Sequence, residues 1–97
     1  MFVAVRKYQV RRGSTAEWAQ RVRTGFVPLM RELEDFRSYY LLDGGPGVLI
    51  TISIFDSTDA ALISNERAAD WVRSNVMEFV RGMPQVMVGD ALITEVK

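Results

Sequence analysis

The stretch Val48-Leu49-Ile50-Thr51-Ile52-Ser53-Ile54-Phe55 decides the fold of this chain. Its even-numbered positions all hold β-branched aliphatic residues, which predicts a strand with one face built for burial. Its odd-numbered positions hold Leu, Thr, Ser and Phe. Because none of these is charged, we expect the second face to be kept largely from water as well. Helices must then cover one face of this strand, and we expect a second copy of the chain to cover the other.

Three further segments have the composition of strands. The glycine-rich turn Asp43–Gly47 joins the second and third strands, so these two form an antiparallel hairpin. On the first strand Arg6 and Tyr8 form a polar pair on a face whose other residues are apolar. The glycine at Gly89-Asp90 predicts a bulge in the last strand. The predicted strands span residues 2–10, 36–42, 48–55 and 85–96.

Two helices are predicted between the strands. Ser14 and Glu17 fit a capping box at the start of the first helix. Pro28 interrupts that helix, so we expect a kink or a fresh turn near residues 25–28. The second helix is expected to start within Asp56–Asp59 and to end before Gly82. The apolar stripes of the two helices consist of Trp18, Val22, Phe26, Leu29 and Leu33, and of Ala61, Ala68, Val72, Val76 and Phe79.

The resulting order is strand–helix–strand–strand–helix–strand. Two right-handed βαβ units of this kind interleave into a four-stranded antiparallel sheet with two helices on one face, the α+β arrangement called ferredoxin-like. The strand at 48–55 should be central, beside the first strand. We expect residues 1–97 to form a single domain, because 97 residues suit one compact unit. No segment is left over to cover the second face of the sheet.

Composition excludes several classes of function. Twelve basic and twelve acidic residues cancel, which argues against a nucleic-acid partner, since phosphate binding begins with a basic excess. The chain contains neither cysteine nor histidine, so we expect no metal site and no disulfide. No apolar run approaches the roughly 20 residues of a membrane span, and the amino end lacks the pattern of a signal peptide. A cytoplasmic protein is therefore expected.

Along nearly its whole length the chain resembles the antibiotic biosynthesis monooxygenase (ABM) type of dimeric α/β-barrel protein. A ferredoxin would need cysteines, and an RNA-recognition domain would need an aromatic-rich run on a central strand; the chain has neither. The resemblance implies a homodimer whose two sheets pack face to face, with a pocket between helices and sheet in each protomer. It rests on the segments Phe36-x-x-Tyr39-Tyr40-x-x-Asp43, Ile54-Phe55-Asp56-Ser57 and Ser64-Asn65-x-x-Ala68-x-x-Trp71-Val72.

The second helix carries two candidate substrate-binding residues. Asn65 shares the helical face of Ala61 and Ala68, so its amide would point at the sheet and orient a substrate oxygen. The alternative is that the helix restarts here, with Ser64 or Asn65 as its N-cap. Trp71 lies at the edge of the same stripe. Its indole would wall a pocket and stack on a flat ligand, or else fill the rim of the core or contact the partner subunit.

The second strand carries three more candidates. Tyr39 and Tyr40 point to opposite faces of this strand, so at most one of them enters a given pocket. Arg37 shares the face of Tyr39 and is a candidate for binding an anionic substrate group. The alternative for Arg37 is a solvated charge at the edge of the sheet.

The resemblance leaves the activity open. Relatives include haem-degrading enzymes that use an Asn–Trp–His set, and the absence of histidine counts against that chemistry here. Relatives also include cofactor-independent oxygenases of polyketide quinols, in which the substrate itself reduces oxygen and the site orients and desolvates it. Our first hypothesis is a monooxygenase-like protein that needs no cofactor and binds a small aromatic or polyketide-type molecule. The alternatives are a non-catalytic ligand-binding dimer and a purely structural dimer of the same fold.

Overall fold

A computed structural model describes all 97 residues. Its four strands form one antiparallel sheet in the order β2-β3-β1-β4, with the helices packed on one face, which confirms the predicted ferredoxin-like βαββαβ fold. The elements are β1 (Phe2–Gln9), α1 (Thr15–Arg21), a π-helical segment (Val22–Phe26), α2 (Val27–Arg31), β2 (Phe36–Asp43), β3 (Val48–Phe55), α3 (Thr58–Asn75), a 3-10 turn (Met77–Phe79) and β4 (Gln85–Asp90). None of the helices combines the length and the apolar character that a membrane span requires.

The last strand is shorter and straighter than predicted. It pairs with β1 in unbroken register, so the predicted bulge at Gly89-Asp90 is wrong. It also ends at Asp90 and not at residue 96, because Asp90 lies opposite Phe2, the first residue of β1. Beyond Asp90 the chain finds no strand to pair with. An irregularity occurs instead in β2, between Phe36 and Ser38.

The two faces of β3 differ in a way that the residue pattern did not predict. The mixed face is the one that the helices bury: Leu49 and Phe55 are fully covered, and Thr51 and Ser53 nearly so. The aliphatic face, which we expected to be built for burial, is only half-buried within the protomer. The reason lies in β1, where Ala4, Arg6 and Tyr8 pair with the mixed face and carry it under the helices. The aliphatic face is therefore the uncovered face of the sheet.

The first helical region begins and bends for local reasons. The predicted capping box is wrong, since Ser14 makes no side-chain cap bond and its hydroxyl donates to the carbonyl of Arg11 at 2.5 Å. The expected fresh turn is confirmed, because α2 begins at Val27 with Pro28 in its first turn, where a missing N–H breaks no helical bond. The π-helical segment, Val22–Phe26, lies between α1 and α2 and joins them.

Helix α3 is one unbroken helix. Its N-cap is Ser57, whose hydroxyl accepts a hydrogen bond from the amide of Ala60 at 3.1 Å. The alternative that the helix restarts at Ser64 or Asn65 is wrong, and the Ser64 hydroxyl instead donates to the carbonyl of Ala61. The largest fully buried side chains of the core, between the helical layer and the sheet, are Trp18, Met30, Leu49, Phe55 and Val76.

Candidate functional site

A small cavity, called here the inner cavity, lies between the helical layer and the sheet. It encloses about 20 Å³, which is room for about one water molecule. Its polar lining comes mainly from the strands and its apolar lining mainly from the helices. The residues that line it are Arg6, Tyr8, Trp18, Val22, Phe26, Tyr39, Thr51, Ser53, Ser64, Asn65, Ala68, Trp71 and Val72.

Arg6 and Tyr8 form the polar floor of this cavity. Both side chains come from the helix-facing side of β1 and are almost completely buried. Arg6 Nε donates to Tyr8 Oη at 2.8 Å, and Arg6 Nη1 makes a long contact of 3.4 Å with the backbone carbonyl of Asn65. Burial raises the pKa of the Tyr8 phenol, and the neighbouring guanidinium offsets only part of that rise. Tyr8 therefore stays a neutral phenol.

Three aromatic rings line the cavity, two of them from the helical layer (Phe26 and Trp71) and one from strand β2 (Tyr39). Phe26 lies 5.6 Å from Tyr39 and 5.5 Å from Trp71, measured between ring centroids, which are ordinary distances for favourable aromatic pairs. Burial also raises the pKa of Tyr39 far above its ordinary value. Gly25, in the π-helical segment, permits the close approach of Trp71, because a methyl group at Gly25 would lie 3.1 Å from the indole nitrogen.

A second and larger depression, called here the outer groove, runs between the first helical region and the edge strand β2. It has a volume of about 530 Å³ and is open to solvent. Val22 and Tyr39 line both spaces, so they form the wall between the inner cavity and the outer groove. The groove is lined by Ala19, Val22, Arg23, Val27, Arg31, Phe36, Arg37, Ser38, Tyr39, Tyr40 and Leu41.

The structure divides the five candidate residues between these two spaces. Asn65, Trp71 and Tyr39 all line the inner cavity. Arg37 and Tyr40 lie outside it and line the outer groove, together with Tyr39. Arg37 is exposed and pairs with Asp56 at 2.9 Å, and Tyr40 is 52% exposed. No hydrogen bond within the chain engages the side-chain amide of Asn65.

Ten of the thirteen residues that line the cavity were not candidates from the sequence, and Arg6 and Trp18 are the two whose polar groups matter most. Arg6 was noticed only as part of a polar pair, although a lone charge on an otherwise apolar strand face was a usable signal for a buried site residue. Trp18 was assigned to the core, where it lies, but its indole N–H is buried without any hydrogen-bond partner. The helical stripe that contains Trp18 carries no sign of this.

The cavity restricts the chemistry that the chain can perform with its own groups. No carboxylate lines it, and the chain has no histidine, so no ordinary general base faces the cavity. No cluster of acidic residues in the chain is arranged to hold a metal ion. The polar groups that do face it are a guanidinium, phenols, hydroxyls and an amide. Groups of these types can orient and polarise a molecule, and none of them is an ordinary base for taking a proton from it.

Several solved structures have this fold. A protein of unknown function from Nitrosomonas europaea superposes with a TM-score of 0.81 at 13% identity, covering 99% of this chain and 93% of its own. A monooxygenase from the gene ActVA-Orf6 of Streptomyces coelicolor, in complex with nanaomycin D, gives 0.74 at 20% identity, with 99% and 91% covered. Rv0793 from Mycobacterium tuberculosis gives 0.71 at 19% identity, with 99% and 100% covered. No curated protein has a significantly similar sequence.

These likenesses define the fold class, a ferredoxin-like α+β protein. At these levels of identity they carry the fold and nothing further. The family is given by a sequence model described as antibiotic biosynthesis monooxygenase, which matches residues 1–74. The chain belongs to the antibiotic biosynthesis monooxygenase family, as its resemblance implied.

Proposed function

We propose that this protein is a homodimeric, cofactor-independent monooxygenase-like protein that binds a small aromatic or polyketide-type molecule. The observation that carries the proposal is the inner cavity of an ABM-family chain, walled by aromatic rings and floored by hydrogen-bonding groups. The structurally similar Streptomyces coelicolor monooxygenase, which was solved with nanaomycin D, supports the same assignment. The cytoplasm stays the predicted compartment.

In this proposal the residues of the cavity position the substrate and do not attack it. Trp71 and Tyr39 offer flat surfaces on which an aromatic ring stacks. The Asn65 amide, which is free of partners within the chain, holds a substrate oxygen. An electron-rich ring then reduces molecular oxygen: one oxygen atom enters the product, and the other leaves as water with the hydrogen atoms that the ring loses. The protein supplies orientation and exclusion of water.

Binding requires the cavity to open. A pocket for a drug-sized ligand measures about 300 Å³ or more, whereas the inner cavity holds about 20 Å³. The outer groove already has about 530 Å³ and shares Val22 and Tyr39 with the cavity as lining residues. We propose that a change in the Tyr39 side chain joins the two spaces into one site. Arg37 and Tyr40 would then border the outer part of the same site.

The proposed dimer forms through the uncovered face of the sheet. Ile50, Ile52 and Ile54 lie along the centre of this face, with Val3 and Val5 beside them on β1, and all five are only half-buried. An apolar surface of this kind on a soluble protomer marks an association site. An identical sheet matches it, because a two-fold interface uses the same surface on both copies.

Sedimentation velocity at micromolar protein tests the dimer. We expect a dimer for the native sequence and a monomer for Ile52→Lys, which places a charge at the centre of the face. Leu62→Lys is the matched control, since Leu62 is an exposed apolar residue on α3 and lies in the helical layer. A native protein that sediments as a stable monomer would overturn the dimer.

Oxygen uptake with a panel of quinols tests the activity. We expect consumption above the no-protein rate, lowered about tenfold or more in Asn65→Leu, which has similar size but no amide. Ser74→Ala is the control, because Ser74 is exposed on the same helix and lines neither space. Uptake equal to the no-protein rate for every quinol would contradict the proposal.

A second candidate function is a ligand-binding or structural dimer without turnover. The small size of the inner cavity, which is nearly filled by its own aromatic wall, favours the structural role among these. Tight binding of aromatic molecules that are recovered unchanged would support a binding protein. Absence of binding by any of them would support a structural role.

A further inference from the structure

Arg6 is a buried cation without a counter-ion in the chain. Its side chain is almost fully covered, and arginine keeps its charge in proteins. Five ion pairs occur in the protein, and none includes Arg6. Its hydrogen-bond partners are a neutral phenol, Tyr8, and a backbone carbonyl, that of Asn65. Buried charges in proteins are normally paired, so this arrangement calls for an explanation.

No group on the neighbouring elements neutralises this charge. The cavity residues of β3 are Thr51 and Ser53, and those of α3 are Ser64, Asn65 and apolar residues. On β4 the residue opposite Arg6 is Val86. Tyr8 and Tyr39 are the other titratable groups at the cavity, and burial raises the pKa of both, which keeps them uncharged. The positive charge is therefore uncompensated on every side.

The cavity also offers more hydrogen-bond donors than it satisfies. The Trp18 indole N–H is buried without a partner, and Trp18 lines the cavity. The outer groove continues the same pattern, since Arg23, Arg31 and Arg37 line it and no carboxylate does. Of these three arginines only Arg37 makes an ion pair. Unused donors together with an unpaired cation suit a ligand that is rich in acceptors and negatively charged.

We propose that the inner cavity takes its aromatic ligand as an anion, with Arg6 as the counter-ion of a phenolate or enolate oxygen. The inference rests on the proposed function and names the ionisation state of its ligand. An aromatic anion fits better than an inorganic one because Phe26, Tyr39 and Trp71 form the opposite wall. Ionisation breaks the ligand O–H bond, and the proton leaves to solvent water.

This assignment removes a difficulty in the chemistry of the site. Oxygenation of a quinol begins with loss of a proton, and no histidine or carboxylate faces the cavity to take it. A buried cation lowers the pKa of a phenol that binds beside it, so the ligand ionises on binding, its proton passes to solvent water, and no base in the cavity is needed. The ionised ring is also the better electron donor to oxygen. In this role Arg6 contacts the substrate directly.

The probes for the test are 4-nitrophenol, whose phenolate absorbs visible light, and its neutral analogue 4-nitroanisole. Absorbance of the bound nitrophenol is recorded against pH for the native protein, Arg6→Met and Arg6→Lys. We expect the native protein to lower the ionisation pH of nitrophenol by about one unit or more. We expect Arg6→Met to abolish that shift and to weaken nitrophenol binding about tenfold or more, with 4-nitroanisole little affected. Arg6→Lys should retain part of the shift.

Arg67→Met is the matched control, because Arg67 is exposed on α3 and lines neither space. Circular dichroism shows whether each variant is folded. Equal binding of the two probes, no binding of either, or an unshifted ionisation in the native protein would overturn the inference. The inference would also be overturned if phosphate or chloride displaced nitrophenol as strongly as aromatic anions do, because that result would indicate a simple anion site. Oxygen uptake separates the two proposals: an Arg6-dependent shift without uptake contradicts only the proposed function, and uptake unchanged in Arg6→Met contradicts only this inference.

Discussion

Replacing Arg6 by methionine should stabilise the ligand-free protein. The substitution keeps a long side chain and removes a charge that is 92% buried, since the exposed fraction of Arg6 is 8%. The loss is one hydrogen bond from a charged donor to Tyr8 at 2.8 Å, about 1.5–3 kcal/mol. The gain has two parts. The substitution removes the penalty of holding an ion away from water, several kcal/mol, and it buries an apolar side chain, about 1.5–3 kcal/mol.

The lost hydrogen bond and the apolar gain are about equal, so the removed penalty decides the balance, and Arg6→Met should raise the free energy of unfolding by several kcal/mol. For a chain of this length each kcal/mol corresponds to a shift of about 4–8 °C in Tm. Chemical denaturation and calorimetry at one protein concentration measure the difference, because a dimer makes stability depend on concentration. Arg67→Met, an exposed arginine on α3, should change stability by no more than about 0.5 kcal/mol.

A ligand anion should reverse part of this difference. At about 100 times its Kd a ligand stabilises the native protein by about 2.7 kcal/mol, and it should not stabilise Arg6→Met to the same extent. The reasoning fails if Arg6→Met lowers the free energy of unfolding by more than about 1 kcal/mol relative to Arg67→Met. That result would mean that the chain itself already compensates the Arg6 charge.

Three further predictions concern the helices and the buried phenols. Ser57→Ala should lower the free energy of unfolding by about 1 kcal/mol, because it removes the acceptor that caps α3. Ser57→Asp should not, because the aspartate retains a cap acceptor. Equal losses of stability for the two variants in urea denaturation would contradict this. Gly25→Ala should destabilise the protein by about 1 kcal/mol and alter the near-ultraviolet circular dichroism of Trp71. The added methyl group would lie 3.1 Å from the indole nitrogen, and this crowding outweighs the helical preference of alanine. A more stable variant would contradict this. Burial raises the pKa of Tyr8 and Tyr39, so above about pH 10 the unfolded chain loses these protons before the folded chain does, and the free energy of unfolding falls by up to about 1.4 kcal/mol per pH unit for each phenol. Denaturation at rising pH should show a shallower fall in Tyr39→Phe than in the native protein. A native protein whose stability does not fall in this range would contradict the raised pKa values.

The order of the elements followed from local patterns. Alternation at residues 48–55 and the turn at 43–47 determine the β2–β3 hairpin, and Pro28 determines where α2 begins. These features depend on neighbouring residues only, so they can be read from the sequence. The length of β4 depends on where β1 starts, since Asp90 lies opposite Phe2, and the composition of residues 85–96 carries no information on that pairing.

The choice of covered face could not be predicted for a different reason. Neither face of β3 carries a charge, so hydrophobicity alone favours the aliphatic side for the core. The pairing of β1 with β3 fixes the outcome, because Arg6 and Tyr8 lie opposite Thr51 and Leu49 and share their face. Periodicity placed Arg6 on an otherwise apolar face, but an arginine is rarely buried, so the residue type alone argues for exposure to solvent. Only the packed structure shows it enclosed without a counter-ion.

In the proposed site, the part of the fold that holds the charge of Arg6 differs from the part that must move to admit a ligand. Strand β1 is central, paired with β3 on one side and β4 on the other, so Arg6 is held between Thr51 and Val86 and the charge is fixed in place. The proposed moving wall consists of Tyr39 on β2 and Val22 in the π-helical segment, and that segment also brings Gly25 against Trp71. Segments of π-helix are rare and recur at functional sites. In the proposed site the central strand β1 therefore holds the charge that recognises the ligand, and Tyr39 with the π-helical segment adjusts the space for its ring. Changes in ligand size should accordingly arise from Tyr39 and residues 22–26, and changes in ligand charge from β1.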